Sequence, residues 1–181
     1  PIVTIRDANG NIVTSGADST KAITISAAGL SGTLTVNAVA GVANFTDLKY
    51  TGTSGSRTFS YNVTGSGWTT RTEDVTINAG AASKLGFVTE ADGAVNGVGF
   101  TTQPVIEVQD ISGNKVSNST IRVTASVNTG TLASSGQVYA DAVAGVATFS
   151  GLKLTGTAGS YTLSFSGQSV SNASQSIGVS H

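Results

Sequence analysis

The chain has no cysteine and no methionine, two prolines, one tryptophan, one histidine and only 10% charged residues among its 181. The missing cysteine excludes disulfides, thiolate metal sites and thiol catalysis. It leaves an extracellular address open, because a domain of about 100 residues buries enough surface to fold without such staples. The one histidine is the last residue, His181, which reads as a frayed end or tag remnant and argues against a Ser–His–Asp triad or a histidine metal site. A net charge of −1 with no basic cluster leaves nothing to neutralise a phosphate backbone, so no nucleic-acid partner is expected. No apolar run reaches about 18 residues, so no membrane-spanning helix is expected. No Gly-rich loop opens a helix to cradle phosphate. The sequence opens without the charged and apolar regions of a signal peptide.

What the chain does have is one text written twice. PIVTIRDANGN at Pro1–Asn11 returns as PVIEVQDISGN at Pro104–Asn114, and AVAGVANFTDLKYTGTSGS at Ala38–Ser56 returns as AVAGVATFSGLKLTGTAGS at Ala142–Ser160. The repeat divides the chain into two domains, 1–80 and 81–181, joined at Ala79-Gly80-Ala81-Ala82-Ser83. So short a joint implies limited bending.

Alternation marks the strands. Val123 and Ala125 alternate with Thr124 and Ser126, Ile23 and Ile25 with Thr24 and Ser26, Phe59 and Tyr61 with Thr58 and Ser60, and Leu163 and Phe165 with Thr162 and Ser164. A period of two with one apolar face describes sheets covered on one side, and two such sheets face to face make a sandwich. Asp7, Gly10 and Asn11, and again Asp110, Gly113 and Asn114, form turns: the glycines take positive φ and the aspartates accept backbone N–H bonds. Phe45 and Phe149 are expected in the core, each after a Gly-Val-Ala turn into a strand.

The copies differ in their loops. The first is longer around Ser15–Thr20 and the second around Ala133–Asp141. The second copy also opens with Ser83–Gln103, for which the first has no counterpart ahead of Pro1. The first domain therefore lacks its opening strand. Either the sequence begins within a repeat of a longer array, or another chain donates the strand to an open edge.

The D-x-x-G-N turns, the A-V-A-G-V-A-x-F segments and the joint GAASKLGFVTE followed by GFTTQPVIEVQD resemble the group-1 bacterial immunoglobulin-like repeat of invasin- and intimin-like adhesins and of very large secreted multi-repeat proteins. The resemblance covers nearly the whole chain and rests on the order and spacing of these motifs together. It implies an all-β chain of two tandem immunoglobulin-like β-sandwiches, in a cell-surface or secreted prokaryotic protein. No receptor-binding motif of that family maps onto these residues.

Few residues offer chemistry. Glu90 and Asp92 can face the same way, and with backbone carbonyls they are the only calcium candidates; the plain alternative is solvated surface charge. Glu73 and Asp74, adjacent in a strand, face opposite sides. Lys49 and Lys153 sit at equivalent positions, and read as edge-strand charges or, beside Asp47, as an isopeptide crosslink. Trp68 stands among glycines with no aromatic counterpart in the second copy; it packs at a sandwich end or domain interface, or it anchors a sugar or protein ligand. Four N-x-[ST] sequons begin at Asn44, Asn62, Asn118 and Asn172.

The expectation is a non-enzymatic structural segment: a stalk or spacer of an adhesin, or a subunit of a surface layer or filament, without cofactor. Its partners are neighbouring repeats of the same or an identical chain. The alternatives are an adhesin module binding glycan or protein through loops and Trp68, and an accessory segment of a secreted enzyme.

Overall fold

A computed structural model describes residues 1–63, 65 and 67–181. Among them the chain is all-β, with one short 3-10 turn at Ala17–Thr20 and no α-helix. It divides into two compact units, Pro1–Asn78 and Ala79–His181. The division falls ahead of the expected joint because the joint's backbone is tied to the second unit. Gly80 N–H donates to Asp110 Oδ2 at 2.9 Å, and Ser83 N–H to the Gln109 carbonyl at 2.8 Å.

The first unit carries β1 (Ile2–Thr4), β2 (Ala22–Ser26), β3 (Leu30–Ser31), β4 (Thr35–Asn37), β5 (Val42–Asn44), β6 (Lys49–Tyr50), β7 (Gly55–Val63) and β8 (Arg71–Ile77). The second begins with β9 (Lys84–Thr89) and β10 (Ala94–Val95). It then repeats the plan with β11 (Val105–Gln109), β12 (Arg122–Val127), β13 (Thr131–Ser134), β14 (Tyr139–Asp141), β15 (Val146–Thr148), β16 (Leu152–Thr155), β17 (Gly159–Gly167) and β18 (Val170–Ser180).

The pairing shows what β9 and β10 do. In the second unit one path runs β14-β12-β17-β18-β9-β11-β15, with β10 also on β18. β9 is the splice: it lies antiparallel to β11 along its length and meets β18 in parallel at Ser171–Lys84. Without that splice the same order falls into two pieces, and those are the sheets of the first unit, β4-β2-β7-β8 and β1-β5. Each unit adds a small third pair, β3-β6 and β13-β16.

Side chains one residue apart in a strand point to opposite faces, and the sequence places apolar residues on the same one. Ile23, Ile25, Phe59 and Tyr61 therefore close on Ile5, Ala43 and Phe45 in the first core. In the second, Val123, Leu163, Phe165 and Ile177 close on Ile106, Val108, Ala147 and Leu152. Phe165 is fully buried at its centre, edge-on to Phe87 (ring centroids 5.6 Å) and to Phe149 (5.3 Å). Such edge-to-face pairs add about 0.5–1.5 kcal/mol beyond buried area.

The turns that frame the cores are the same in both units. Val39 and Val42 exchange backbone hydrogen bonds (2.8 and 3.0 Å), as do Val143 and Val146 (2.9 and 3.0 Å). Between them Ala40-Gly41 and Ala144-Gly145 all take positive φ, the type I′ hairpin geometry that matches strand twist. Gly41 and Gly145 are required twice over, since a Cβ there would collide with the carbonyls of Val13 and Val116.

Candidate functional site

The Asp–Gly–Asn turns are hydrogen-bonded knots. Asp7 Oδ1 accepts from the N–H groups of Asn9 (2.9 Å) and Asn11 (2.8 Å), and Oδ2 accepts from Asn11 Nδ2 at 3.2 Å. Asp110 Oδ1 does the same for Ser112 (2.9 Å) and Asn114 (2.8 Å). Its Oδ2 accepts from Asn114 Nδ2 and from Gly80 N–H, both at 2.9 Å. Gly10 and Gly113 take φ near +86 and +87. The Asn114 amide first, and then the Gly80 N–H, pull the Asp110 carboxyl down to about 2; the Asn11 backbone N–H and side-chain amide lower Asp7 likewise. Both carboxylates brace their turns, and that of Asp110 also holds the joint.

The other candidates are scattered. Glu90 and Asp92 are exposed, and Asp92 Oδ1 accepts from Gly93 N–H at 2.7 Å. No group of three or more His, Cys, Asp or Glu gathers as a metal site among the described residues. Lys49 lies exposed on β6 and Lys153 half-buried on β16, while Asp47 is held by the N–H (3.0 Å) and hydroxyl (2.8 Å) of Thr33, which lower its pKa. His181 Nε2 accepts from Ala158 N–H at 3.2 Å. The four sequon asparagines are exposed. A shallow cleft of about 490 Å³ beside Gly29 and Tyr50 includes Arg57, whose guanidinium is occupied by Tyr50 Oη and the carbonyls of Thr53, Ser54 and Ser56.

Trp68 is 41% exposed, with Lys21 Nζ 5.5 Å from its ring centroid. The matching backbone bonds, Ala38 N–H to Lys21 O and Ala142 N–H to Ile121 O, make Lys21 the counterpart of Ile121. Trp68 correspondingly stands where Val170 does, and Ile121 and Val170 both pack on the second core. In the first unit a cation on an aromatic face replaces that aliphatic contact.

Trp68 also stands at one end of the feature that most distinguishes the first unit, a groove between β1 and β8. Its wider part, about 480 Å³, is lined by Ile2, Val3, Arg6, Tyr61, Arg71 and Glu73. A smaller continuation of about 180 Å³ runs past Ile5 and Ile23 to Trp68. Tyr61 Oη approaches Glu73 Oε2 at 3.4 Å, and burial first, then the Glu73 charge, raises the Tyr61 pKa. Asp74, one residue on, faces the opposite side and accepts from Thr58 Oγ1 at 2.6 Å.

The sequence pointed to an open edge here but not to its lining. The register does: Phe59 faces Glu73 and Tyr61 faces Arg71, as Leu163 faces Gln175 and Phe165 faces Ala173. Arg71 and Glu73 thus occupy inward positions. Aligning the last strands of the two copies by their core alternation, rather than by identity, is the signal that finds them.

No family model matches the chain, and no curated protein matches it. Among solved structures it is similar to a beta-glycosidase from Bacteroides vulgatus, at 14% identity and a TM-score of 0.45, covering 88% of this chain and 21% of that one. It is similar to the D0-D1 domain of intimin, at 19% identity and a TM-score of 0.36, covering 99% and 88%. It is also similar to invasin, a bacterial integrin-binding protein, at 16% identity and a TM-score of 0.39, covering 98% and 34%. The chain spans about a fifth of the length of the glycosidase. All three likenesses, each at a TM-score under 0.5, are too loose to assign a family or an activity.

Proposed function

We propose that this chain is a structural segment of a prokaryotic extracellular protein, built from tandem immunoglobulin-like β-sandwich repeats that space or assemble rather than catalyse. The observation that carries the reading is the bond-for-bond repetition of the framework. The Asp turn, the type I′ hairpin, the bond from Phe45 N–H to Pro1 O and its twin from Phe149 N–H to Pro104 O recur at matching positions in both units. What recurs is the fold itself and not a set of reactive groups, which supports a spacing or assembling role. The resemblance of the turn and joint motifs to group-1 bacterial immunoglobulin-like repeats adds the extracellular setting. The titratable residues support the same reading, because the aspartates whose pKa values are lowered are engaged in structural bonds: Asp7 and Asp110 in their turns, Asp47 with Thr33 and Asp141 in an ion pair with Arg122 across β12 and β14.

Force spectroscopy on the tethered chain tests it. At about 0.35 nm of contour per residue, two rips of roughly 27 and 36 nm, less the folded length of each unit, are expected from the two units. A glycan and receptor-ectodomain array is expected to stay blank. An array signal lost on Trp68→Ala would replace the spacer reading with that of a ligand-binding module.

A further inference from the structure

We propose that the groove between β1 and β8 is a strand-acceptor site, which takes the joint-and-strand segment of a repeat of this same kind in the register that β9 holds on β11. The inference does not rest on a spacer role, since a ligand-binding chain would accept the strand equally.

The occupant is on display in the second unit. There Leu85 pairs with Val108 and Phe87 with Ile106, and the segment then crosses to β18, where Ala94 pairs with Val179. At the crossing Gln175 holds both backbone groups of Ala91: its Oε1 accepts from the N–H and its Nε2 donates to the carbonyl, both at 2.8 Å. Ahead of the strand, the Gly80 N–H reaches Asp110. The result is a sealed core, with Ile106 fully buried and Ile177 4% exposed.

The first unit has every part of the acceptor. β1 pairs with β5 on one side and with no strand on the other among the described residues, so its outer edge offers backbone groups for strand addition. Val3 and Val75, the counterparts of Ile106 and Ile177, are only half-buried, and Ile2 is 68% exposed. Asp7 Oδ2 takes a single bond at 3.2 Å where Asp110 Oδ2 takes two at 2.9 Å, leaving an acceptor placed for the N–H of an incoming joint.

The lining sets which strand fits. Tyr61 stands where Phe165 does, Arg71 where Ala173 does and Glu73 where Gln175 does. A phenylalanine entering as Phe87 does would take water from the Tyr61 hydroxyl and the Arg71 guanidinium and offer neither a hydrogen-bond acceptor, a desolvation cost. A carboxylate at the place of Gln175 accepts an incoming N–H but cannot donate to the carbonyl beside it. The preferred segment therefore keeps an apolar residue opposite Ile5, carries a small or polar residue opposite Val3, and presents a donor toward Glu73.

The test is NMR titration of the full, isotope-labelled chain with a synthetic peptide of the sequence 79–103. A second peptide carries Phe87→Thr. Both are expected to shift the amides of Ile2–Arg6 and of β8, with the threonine peptide tighter by about tenfold, the worth of one good hydrogen bond. In a Tyr61→Phe, Arg71→Ala, Glu73→Gln chain, which carries the second unit's residues at these three positions, the preference is expected to reverse. Joining 79–103 covalently ahead of Pro1 is expected to raise the Trp68-monitored melting temperature by about 5 °C or more. Absence of shifts with both peptides in both chains, together with an unchanged melt of the fused chain, would overturn the site. Shifts confined to amides outside Ile2–Arg6 and β8 would place the peptide elsewhere and overturn the site as well.

Discussion

Phe165→Ala is the most demanding test of how the second unit is held together. The ring is fully buried and wedged edge-on between Phe87 of the opening strand and Phe149. Truncating a buried phenylalanine costs about 3–5 kcal/mol, counting both lost transfer energy and the cavity left behind. For a unit of this size each kcal/mol moves the midpoint by several degrees, so the second unit is expected to melt roughly 15–30 °C lower. The assay separates the units because the only tryptophan, Trp68, lies in the first. Calorimetry reports both transitions, while Trp fluorescence reports the first unit alone. The expected result is a calorimetric transition that drops steeply while the fluorescence midpoint stays put. A fluorescence midpoint that falls together with the calorimetric one would refute the division into separately stabilised units. A calorimetric shift under about 3 °C would refute the central place of the Phe87–Phe165–Phe149 stack.

Gly10→Ala and Gly41→Ala are expected to separate. Gly10 faces open space and pays only the left-handed backbone cost of about 1–2 kcal/mol, whereas Gly41 adds a collision with the Val13 carbonyl, so its urea midpoint falls further. Lowering pH is expected to weaken the second unit. Asp110 titrates at about 2 in the fold against an ordinary 3.8, so its contribution is fully present above about pH 4 and fades as pH falls toward 2; an Asp110→Asn chain is expected to lack that acid limb in a pH series of thermal melts. Ser119 Oγ is buried without a hydrogen-bond partner among the described residues, while its counterpart Ser19 donates to the Gly16 carbonyl at 2.7 Å. Ser119→Ala is therefore expected to be neutral or stabilising, and Ser19→Ala to cost about 1 kcal/mol in denaturant melts.

The strand plan was legible because it depends on short-range rules. Apolar alternation in Ile23–Ile25, Phe59–Tyr61 and Leu163–Phe165 decides which face is buried. The Asp–Gly–Asn turns were legible because their hydrogen bonds span at most four residues. The longer loop at Ser15–Thr20 was seen as an insertion, but not that its 3-10 turn brings the Gly16 carbonyl to the buried Ser19 hydroxyl. Nor did Trp68 announce its neighbour, because Lys21 reaches it from the far end of β2 only once the sheet is formed.

The sequence by itself determined the repeat, the all-β character and the turns, since each follows from local pattern or from comparing the chain with itself. Only the tertiary structure decided what the segment Ser83–Gln103 does in the second copy. Strand order brings residues far apart in the chain into one groove, and it showed that β9 joins two sheets that otherwise part. It also put Arg71, Glu73 and Tyr61 on the walls of a groove in the first unit whose counterpart in the second is closed by β9. The physical reason is one of range: alternation sets which face of a strand is inward, but what lies across that face is set by pairing between distant strands.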